Sequence, residues 1–157
     1  GLQLAFNCQL LSNIGDKNDE KCPVGNAVST SPGASELSQH YSKIVHTTPP
    51  FYKHHSNPHL YLSKCYKNAL THSFQLYQPN INENVPHKVA CPLIGAGCRA
   101  FPLDVAATIA AEESIRWLQE LEDSNSPKIL AFGIPEISTV ETLIEAIEKV
   151  QNIKSKE

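Results

Sequence analysis

The stretch Lys88-Val-Ala-Cys-Pro-Leu-Ile-Gly-Ala-Gly-Cys-Arg-Ala-Phe-Pro102 decides how this chain is expected to fold. Its first half is an apolar run typical of a buried strand, a Gly-x-Gly turn follows, and a long helix begins near Leu103. Gly95 and Gly97 can adopt positive φ and let backbone N–H groups face a ligand, while the helix adds the positive end of its dipole. The arrangement predicts a phosphate-binding turn, although such glycine pairs also occur in ordinary tight turns.

Hydrophobic periodicity divides the rest of the chain into alternating strands and helices. Strands are predicted at 24–31, 43–48, 88–94 and 128–132, and helices at 58–77, 103–121 and 139–150. For 2–12 the periodicity is compatible with a helix or a strand, and we favour the helix. The last strand is almost wholly apolar, which predicts burial of both its faces. Strands alternating with helices predict a mostly parallel sheet with helices on both sides. Ligands bind such sheets beyond the carboxyl ends of strands, where Ile94 meets Gly95.

Local signals predict where the helices begin and end. Asn57 followed by Pro58 is typical of a helix cap and first turn, and Pro79 ends the same helix. Ser138-Thr-Val-Glu141 has the spacing of a capping box, so the last helix is expected to begin after Ser138.

Composition limits the kind of protein this is. At 157 residues, the chain 1–157 is expected to form a single domain, with 41% hydrophobic residues for its core. A net charge of −3 gives no general attraction to nucleic acid, and no apolar run reaches the roughly 20 residues of a membrane helix. Five cysteines without a C-x-x-C pair do not form a disulfide framework. We therefore expect a soluble protein of the cytoplasm or nucleus.

Four ordered segments resemble the macro domain family of ADP-ribose-binding modules. The segment from Pro92 to Pro102 is similar to the family's second ligand loop, P-L-I-G-T-G-x-x-G-[FY]-P. Upstream, Gly25-Asn-Ala-Val-Ser-Thr-Ser-Pro-Gly33, Lys43-Ile-Val-His-Thr-Thr-Pro-Pro50 and Leu62-Ser-Lys-Cys-Tyr-Lys-Asn-Ala-Leu70 resemble its following strands and helix. The resemblance covers 22–150 and implies a three-layer α/β/α fold with a mixed, mostly parallel sheet.

Several family features are absent from this sequence. Macro domains open with a strand, an acidic residue that holds adenine, an Asn-Ala-Ala-Asn strand end and a Gly-Gly-Gly loop, and none of these occurs here. The chain also begins at Gly1 and contains no methionine. The resemblance therefore implies an amino-terminally incomplete domain, with 1–24 as a divergent or remnant segment, 25–150 as the core and 151–157 as a tail. Such a domain is expected to self-associate through an unpaired sheet edge.

The resemblance places the ligand-binding residues in one loop: Gly95, Ala96, Gly97, Cys98, Arg99, Ala100 and Phe101. The glycines allow close backbone approach to phosphate, and Phe101 is expected to pack on the distal ribose. Two residues depart from the family pattern. Ala100 replaces a usual glycine, and its Cβ is expected to disfavour positive φ. Arg99 has two interpretations, a bidentate grip on phosphate or a solvent-facing side chain.

Other chemistry-bearing residues receive simpler interpretations. His54, His55, His59 and Cys65 are conceivable zinc ligands, but their spacing fits no standard pattern, so no metal or cofactor is expected. Gly33 is read as a turn glycine, and His46 as a hydrogen-bonded core group rather than a catalyst. Cys98 lies near a helix amino terminus and is a candidate nucleophile, although the sequence places no base beside it.

Three functions remain open. The first is a module that binds ADP-ribose, an ADP-ribosylated protein or a related nucleotide or phosphate ligand, with weakened affinity. The alternative is a structural or protein-interaction module that has lost the ligand, and the third is a cysteine-dependent enzyme using Cys98. Hydrolysis of ADP-ribose linkages is not expected, because the resemblance assigns it to the absent segments.

Overall fold

The computed structural model describes residues 2–12, 20–34, 36–76, 86–119 and 127–154. Helices and strands alternate along the described chain, as predicted. Their order is α1 (Leu2–Gln9), β1 (Ala27–Thr30), α2 (Leu37–His40), β2 (Ile44–Thr47), α3 (Pro58–Gln75), β3 (His87–Cys91), α4 (Leu103–Gln119), β4 (Lys128–Phe132) and α5 (Ile137–Lys154).

The four strands found in the described ranges form two separate pairs. β1 is antiparallel to β2, with Ala27 opposite Thr47, whereas β3 is parallel to β4, with His87 opposite Lys128. The difference follows from the connections, because β3 returns to β4 through the long helix α4, whereas only the four-residue helix α2 separates β1 from β2. The described strands therefore form two two-stranded sheets, one antiparallel and one parallel.

Helix α3 forms because its apolar residues recur on one face. Leu62, Cys65, Tyr66 and Leu70 are buried at three- and four-residue spacing. Asn57 occupies the predicted cap position and Pro58 the first turn, but the Asn57 side chain makes no capping hydrogen bond. The helix ends at Gln75, and Pro79 lies outside the described residues.

Helix α4 forms the centre of the core. Ala106, Ala107, Ala110 and Ala111 are fully buried, and these small side chains let α4 pack closely against both α3 and α5. None of the described helices combines the length and the hydrophobicity that crossing a membrane requires.

Two element predictions are wrong. β4 is not buried on both faces, since Ile129 is 46% exposed and Ala131 is also exposed. α5 begins at Ile137, so Ser138 is not its cap. The Glu136 carbonyl instead accepts hydrogen bonds from the N–H groups of Thr139 and Val140. The same helix continues to Lys154 through most of the predicted tail.

Candidate functional site

The candidate site lies where β2 and β3 end. The N–H of Tyr52, beyond β2, donates to the carbonyl of Arg99, beyond β3, at 3.0 Å. The two strands therefore run toward the same edge, and the loop that follows β3 closes one end of a cleft of about 1320 Å³. This is the position predicted for the ligand, beyond the carboxyl ends of the strands.

The loop is anchored at both of its ends. The Ile94 N–H donates to the hydroxyl of Tyr66 at 2.8 Å. At the other end, the N–H groups of Ala100 and Phe101 donate to the carbonyls of Gly97 and Gly95 at 2.9 and 3.2 Å. These bonds fix the strand end and close the turn.

Between the anchors, five consecutive backbone donors are unused. Within the described residues, the N–H groups from Gly95 to Arg99 have no hydrogen-bond acceptor. Successive free N–H groups in a turn carry partial positive charge and form a concave binding site for anions. The first turn of α4 follows at Leu103 and adds its dipole.

The two glycines of the turn differ in what they do. Gly95 has φ +94°, and a Cβ there would lie 3.1 Å from Phe101 Cδ2 and 3.2 Å from Leu62 Cδ2. Gly97 does not have positive φ, and a Cβ at that position would meet no described atom within 4 Å. The expected left-handed geometry therefore holds at Gly95 and is wrong for Gly97, whose open surroundings leave room for a ligand.

Ala100 adopts the geometry that we expected its Cβ to oppose. Its φ is +58°, which makes it the one residue other than glycine with positive φ in the described part of the chain. The two hydrogen bonds that close the turn hold it there. An L-residue with positive φ is strained by roughly 1–2 kcal/mol relative to the right-handed form. Alanine in place of the family's usual glycine therefore lowers the stability of the fold, while the turn stays closed.

Four of the seven predicted site residues line the cleft, namely Gly95, Gly97, Cys98 and Arg99. Ala96, Ala100 and Phe101 are not part of its wall. Phe101 is only 4% exposed, and its ring packs on Tyr52 with centroids 5.1 Å apart. In this conformation Phe101 supports the loop from the core and does not offer a face to a ribose.

Arg99 lies at the cleft wall and stacks on an aromatic ring. Its guanidinium lies 4.2 Å from the centroid of the Phe51 ring, and Phe51 is 48% exposed. Among the described residues Arg99 forms no ion pair. The stacked guanidinium therefore keeps its charge available at the cleft wall.

The cleft wall is basic. Lys43, Lys88 and Arg99 belong to it, together with His46 and His87, and it includes no described aspartate or glutamate. Burial lowers the pKa of His46, and burial together with nearby Lys128 lowers the pKa of His87. Burial also raises the pKa of the Cys91 thiol to about 12 and that of the Tyr66 hydroxyl, so both remain protonated.

The remaining candidate residues have separate environments. His54, His55 and His59 contact the rings of Phe51, Tyr61 and Tyr52, and the Cys65 thiol donates to the Thr48 carbonyl. No three possible metal-ligating side chains converge in the described ranges. His46 Nε2 lies 2.8 Å from Thr30 Oγ1 in β1, as expected of a structural histidine, and Gly33 has the positive φ of a turn glycine.

Cys98 is exposed, and no described histidine or carboxylate lies within hydrogen-bond distance of its thiol. All five cysteines are free. The described residues therefore place no general base beside Cys98, so the structure does not strengthen the hypothesis of a cysteine-dependent enzyme.

Sequence reasoning missed the residues that hold the loop in place. Tyr66 anchors Ile94, while Tyr52 and Phe51 support Phe101 and Arg99. The available signal was the aromatic pair Phe51-Tyr52, which directly follows the strand-ending Pro49-Pro50.

Comparison with known proteins identifies the architecture. A sequence model of one protein family, described as Macro domain, matches residues 2–110. No curated protein matched the chain by sequence. A macrodomain variant from Oceanobacillus iheyensis has a TM-score of 0.74 at 22% identity, covering 97% of this chain and 69% of that chain.

Two further solved structures of this fold contain a nucleotide. An Oceanobacillus iheyensis macrodomain variant with ADPR has a TM-score of 0.66 at 21% identity, covering 86% of this chain and 64% of that chain. A Trypanosoma brucei macrodomain in complex with ADP has a TM-score of 0.63 at 17% identity, covering 82% and 47%. This chain thus spans about two thirds or less of these chains' lengths. At such identities the similarity establishes the fold, and it confirms the predicted three-layer α/β/α class.

Proposed function

Because the chain belongs to the macro domain family, we propose that its turn at 95–99 binds the phosphate groups of ADP-ribose or a related nucleotide, with reduced affinity. The observation that carries this proposal is the run of unused N–H groups from Gly95 to Arg99 at the wall of the cleft. Phosphate oxygens are the natural acceptors for such a run beside a helix amino terminus. Free ADP-ribose and an ADP-ribosylated protein would present the same diphosphate group to this turn.

Similar proteins support the ligand class. Two of the solved macrodomains that share the fold are described with ADPR and with ADP. The guanidinium of Arg99, which belongs to the turn and to the cleft wall, favours a diphosphate over a neutral ligand. The five free thiols are consistent with a reducing intracellular compartment.

Reduced affinity follows from the contacts that the chain offers. The sequence has no Asn-Ala-Ala-Asn or Gly-Gly-Gly segment, and the buried Phe101 ring gives a ribose little surface. Losing the adenine and ribose contacts removes several kcal/mol, and each 1.4 kcal/mol is a factor of about ten in affinity. Binding, rather than hydrolysis, is the activity that these residues support.

Calorimetric titration of the 157-residue chain tests the proposal. We expect ADP-ribose and ADP to bind with dissociation constants weaker than about 1 μM. Gly97→Val should abolish binding, because its side chain would occupy the open space in front of the N–H groups. Arg99→Ala should weaken binding roughly 10- to 150-fold if the guanidinium contacts phosphate.

Gly133→Val is the matched control. A Cβ at Gly133 also meets no described atom within 4 Å, but Gly133 is not part of the cleft wall. Binding to this variant should equal that of the wild type. Unchanged binding to Gly97→Val would place the ligand elsewhere, and a wild-type dissociation constant tighter than about 1 μM would refute the reduced affinity.

A further inference from the structure

Arg99 is held at the end of the turn by residues that follow β2. Its guanidinium lies 4.2 Å from the centroid of the Phe51 ring, and the ring of His54 packs edge-on against Phe51 with centroids 6.3 Å apart. The backbone N–H of Tyr52 donates to the Arg99 carbonyl at 3.0 Å. These contacts position both the side chain and the backbone of Arg99.

The stack with Phe51 leaves the donors of the guanidinium available. A guanidinium has five N–H donors in its plane, whereas stacking on a ring occupies one of its faces. Arg99 belongs to the cleft wall and Phe51 does not, so the ring supports the arginine from outside the cleft. A guanidinium positioned in this way loses less conformational freedom when it binds a phosphate than a freely moving one does.

The guanidinium makes the end of the turn its most positive part. The run of free N–H groups ends with the N–H of Arg99, so a phosphate bound by the last of these groups lies next to the arginine that carries the charge. A terminal phosphate, as in ADP, is a monoester with a charge of about −1.5 to −2 at pH 7. In ADP-ribose both phosphates are diesters, and each is singly charged.

The sugar of ADP-ribose gains little here that would offset this difference in charge. The resemblance to macro domains implied that Phe101 packs on the distal ribose. The Phe101 ring is instead 4% exposed and packs on Tyr52, with centroids 5.1 Å apart. The described residues therefore offer a bidentate, charged partner to a terminal phosphate, and they offer no aromatic face at Phe101 to a terminal ribose.

We propose that Arg99, positioned by Phe51, makes this site select nucleotides that end in a phosphate monoester, such as ADP, over ADP-ribose. The inference rests on the proposed function, because the turn at 95–99 must hold the phosphates. Arg99 is the residue that determines the selectivity, and Phe51 is a positioning residue that acts through it.

Three ligands test the selectivity by calorimetric titration of the 157-residue chain. They are ADP, ADP-ribose and ADP methylated on its terminal phosphate, compared at about pH 7.5, where the monoester carries its second charge. ADP should bind at least about fivefold more tightly than ADP-ribose, because its additional charge lies beside the guanidinium. The methyl ester lacks that charge and carries no sugar, so its affinity should equal that of ADP-ribose.

Protein variants assign the selectivity to individual residues. Arg99→Gln removes the charge and should bring the affinities for ADP and ADP-ribose within about twofold of each other. Phe51→Leu should reduce the preference for ADP, whereas Phe51→Tyr keeps a ring under the guanidinium and should retain it. Lys64→Gln is the matched control, because Lys64 Nζ also lies over a ring, 4.6 Å from the centroid of Tyr61, but Lys64 is not part of the cleft wall. Its preference for ADP should equal that of the wild type.

Each contrary result has a separate meaning. If ADP-ribose binds the wild type as tightly as ADP does, or more tightly, the selectivity is refuted and the proposed function stands. If the methyl ester binds as tightly as ADP, the preference comes from exclusion of the sugar, and the role given to charge is wrong. An unchanged preference in Arg99→Gln would refute the assignment to Arg99. Absence of binding by all three ligands would refute the proposed function and this inference together.

Discussion

Gly95 and Ala100 both have positive φ, and each has a different consequence for stability. Gly95→Ala should lower the free energy of unfolding by roughly 2–4 kcal/mol, because it adds backbone strain and places Cβ against Phe101 and Leu62. Ala100→Gly should raise it by roughly 0.5–1 kcal/mol by relieving the left-handed alanine. Urea unfolding followed by circular dichroism measures both changes.

Gly97→Ala is the internal control for this pair. Its added Cβ meets no described atom within 4 Å and its φ is not positive, so stability should change by no more than about 0.5 kcal/mol. A large loss at Gly97, or none at Gly95, would contradict the turn geometry.

Prediction from sequence reached its limit within this loop. The sequence from Pro92 to Pro102 was enough to locate a turn with free backbone N–H groups, because the spacing of its glycines reflects the backbone conformation of the turn itself. Which glycine takes positive φ depends on the carbonyls that accept from Ala100 and Phe101, and the burial of Phe101 depends on Tyr52, 49 positions away. These are tertiary contacts that no local pattern contains.

At the scale of elements, β2 and β3 each carry a histidine, His46 and His87, whose pKa burial lowers from the ordinary value of 6.5. As the pH falls through 6.5, the unfolded chain binds protons that the folded chain still excludes. The free energy of unfolding should therefore be highest near neutral pH and fall toward pH 5, by at most about 1.4 kcal/mol per pH unit for each histidine.

Urea titrations at several pH values between about 7 and 5 measure this slope. The double variant His46→Gln, His87→Gln should show a shallower slope than the wild type. Equal slopes would mean that other groups, chiefly carboxylates, control the acid sensitivity.

The interiors of elements were predicted better than their ends and their environments. The spacing of Leu62, Tyr66 and Leu70 was enough for α3, because an amphipathic face is a property of the segment itself. The start of α5 was misplaced because Glu136 supplies the first carbonyl, while the capping-box pattern at Ser138 lies inside the helix. The exposure of Ile129 in β4 depends on what packs over that face, which the strand's own composition does not determine.

For the molecule as a whole, four ordered motifs were sufficient to predict the family and fold class, since order along the chain constrains topology. The separation of the strands into two pairs was only partly foreseen, as an unpaired edge. Strand pairing joins residues that are far apart in sequence. The local sequence of β2 and β3 therefore does not show that these two strands are not paired with each other.

The single-sided pairing of β3 also sets how quickly its amides exchange with solvent. In deuterated buffer, the amide hydrogens of Val89 and Cys91, bonded toward β4, should exchange slowly, whereas those of Lys88 and Ala90 should exchange quickly. Nuclear magnetic resonance would then record two alternating exchange rates along one strand. Uniform slow exchange along the strand would mean that the edge of β3 facing away from β4 is already covered.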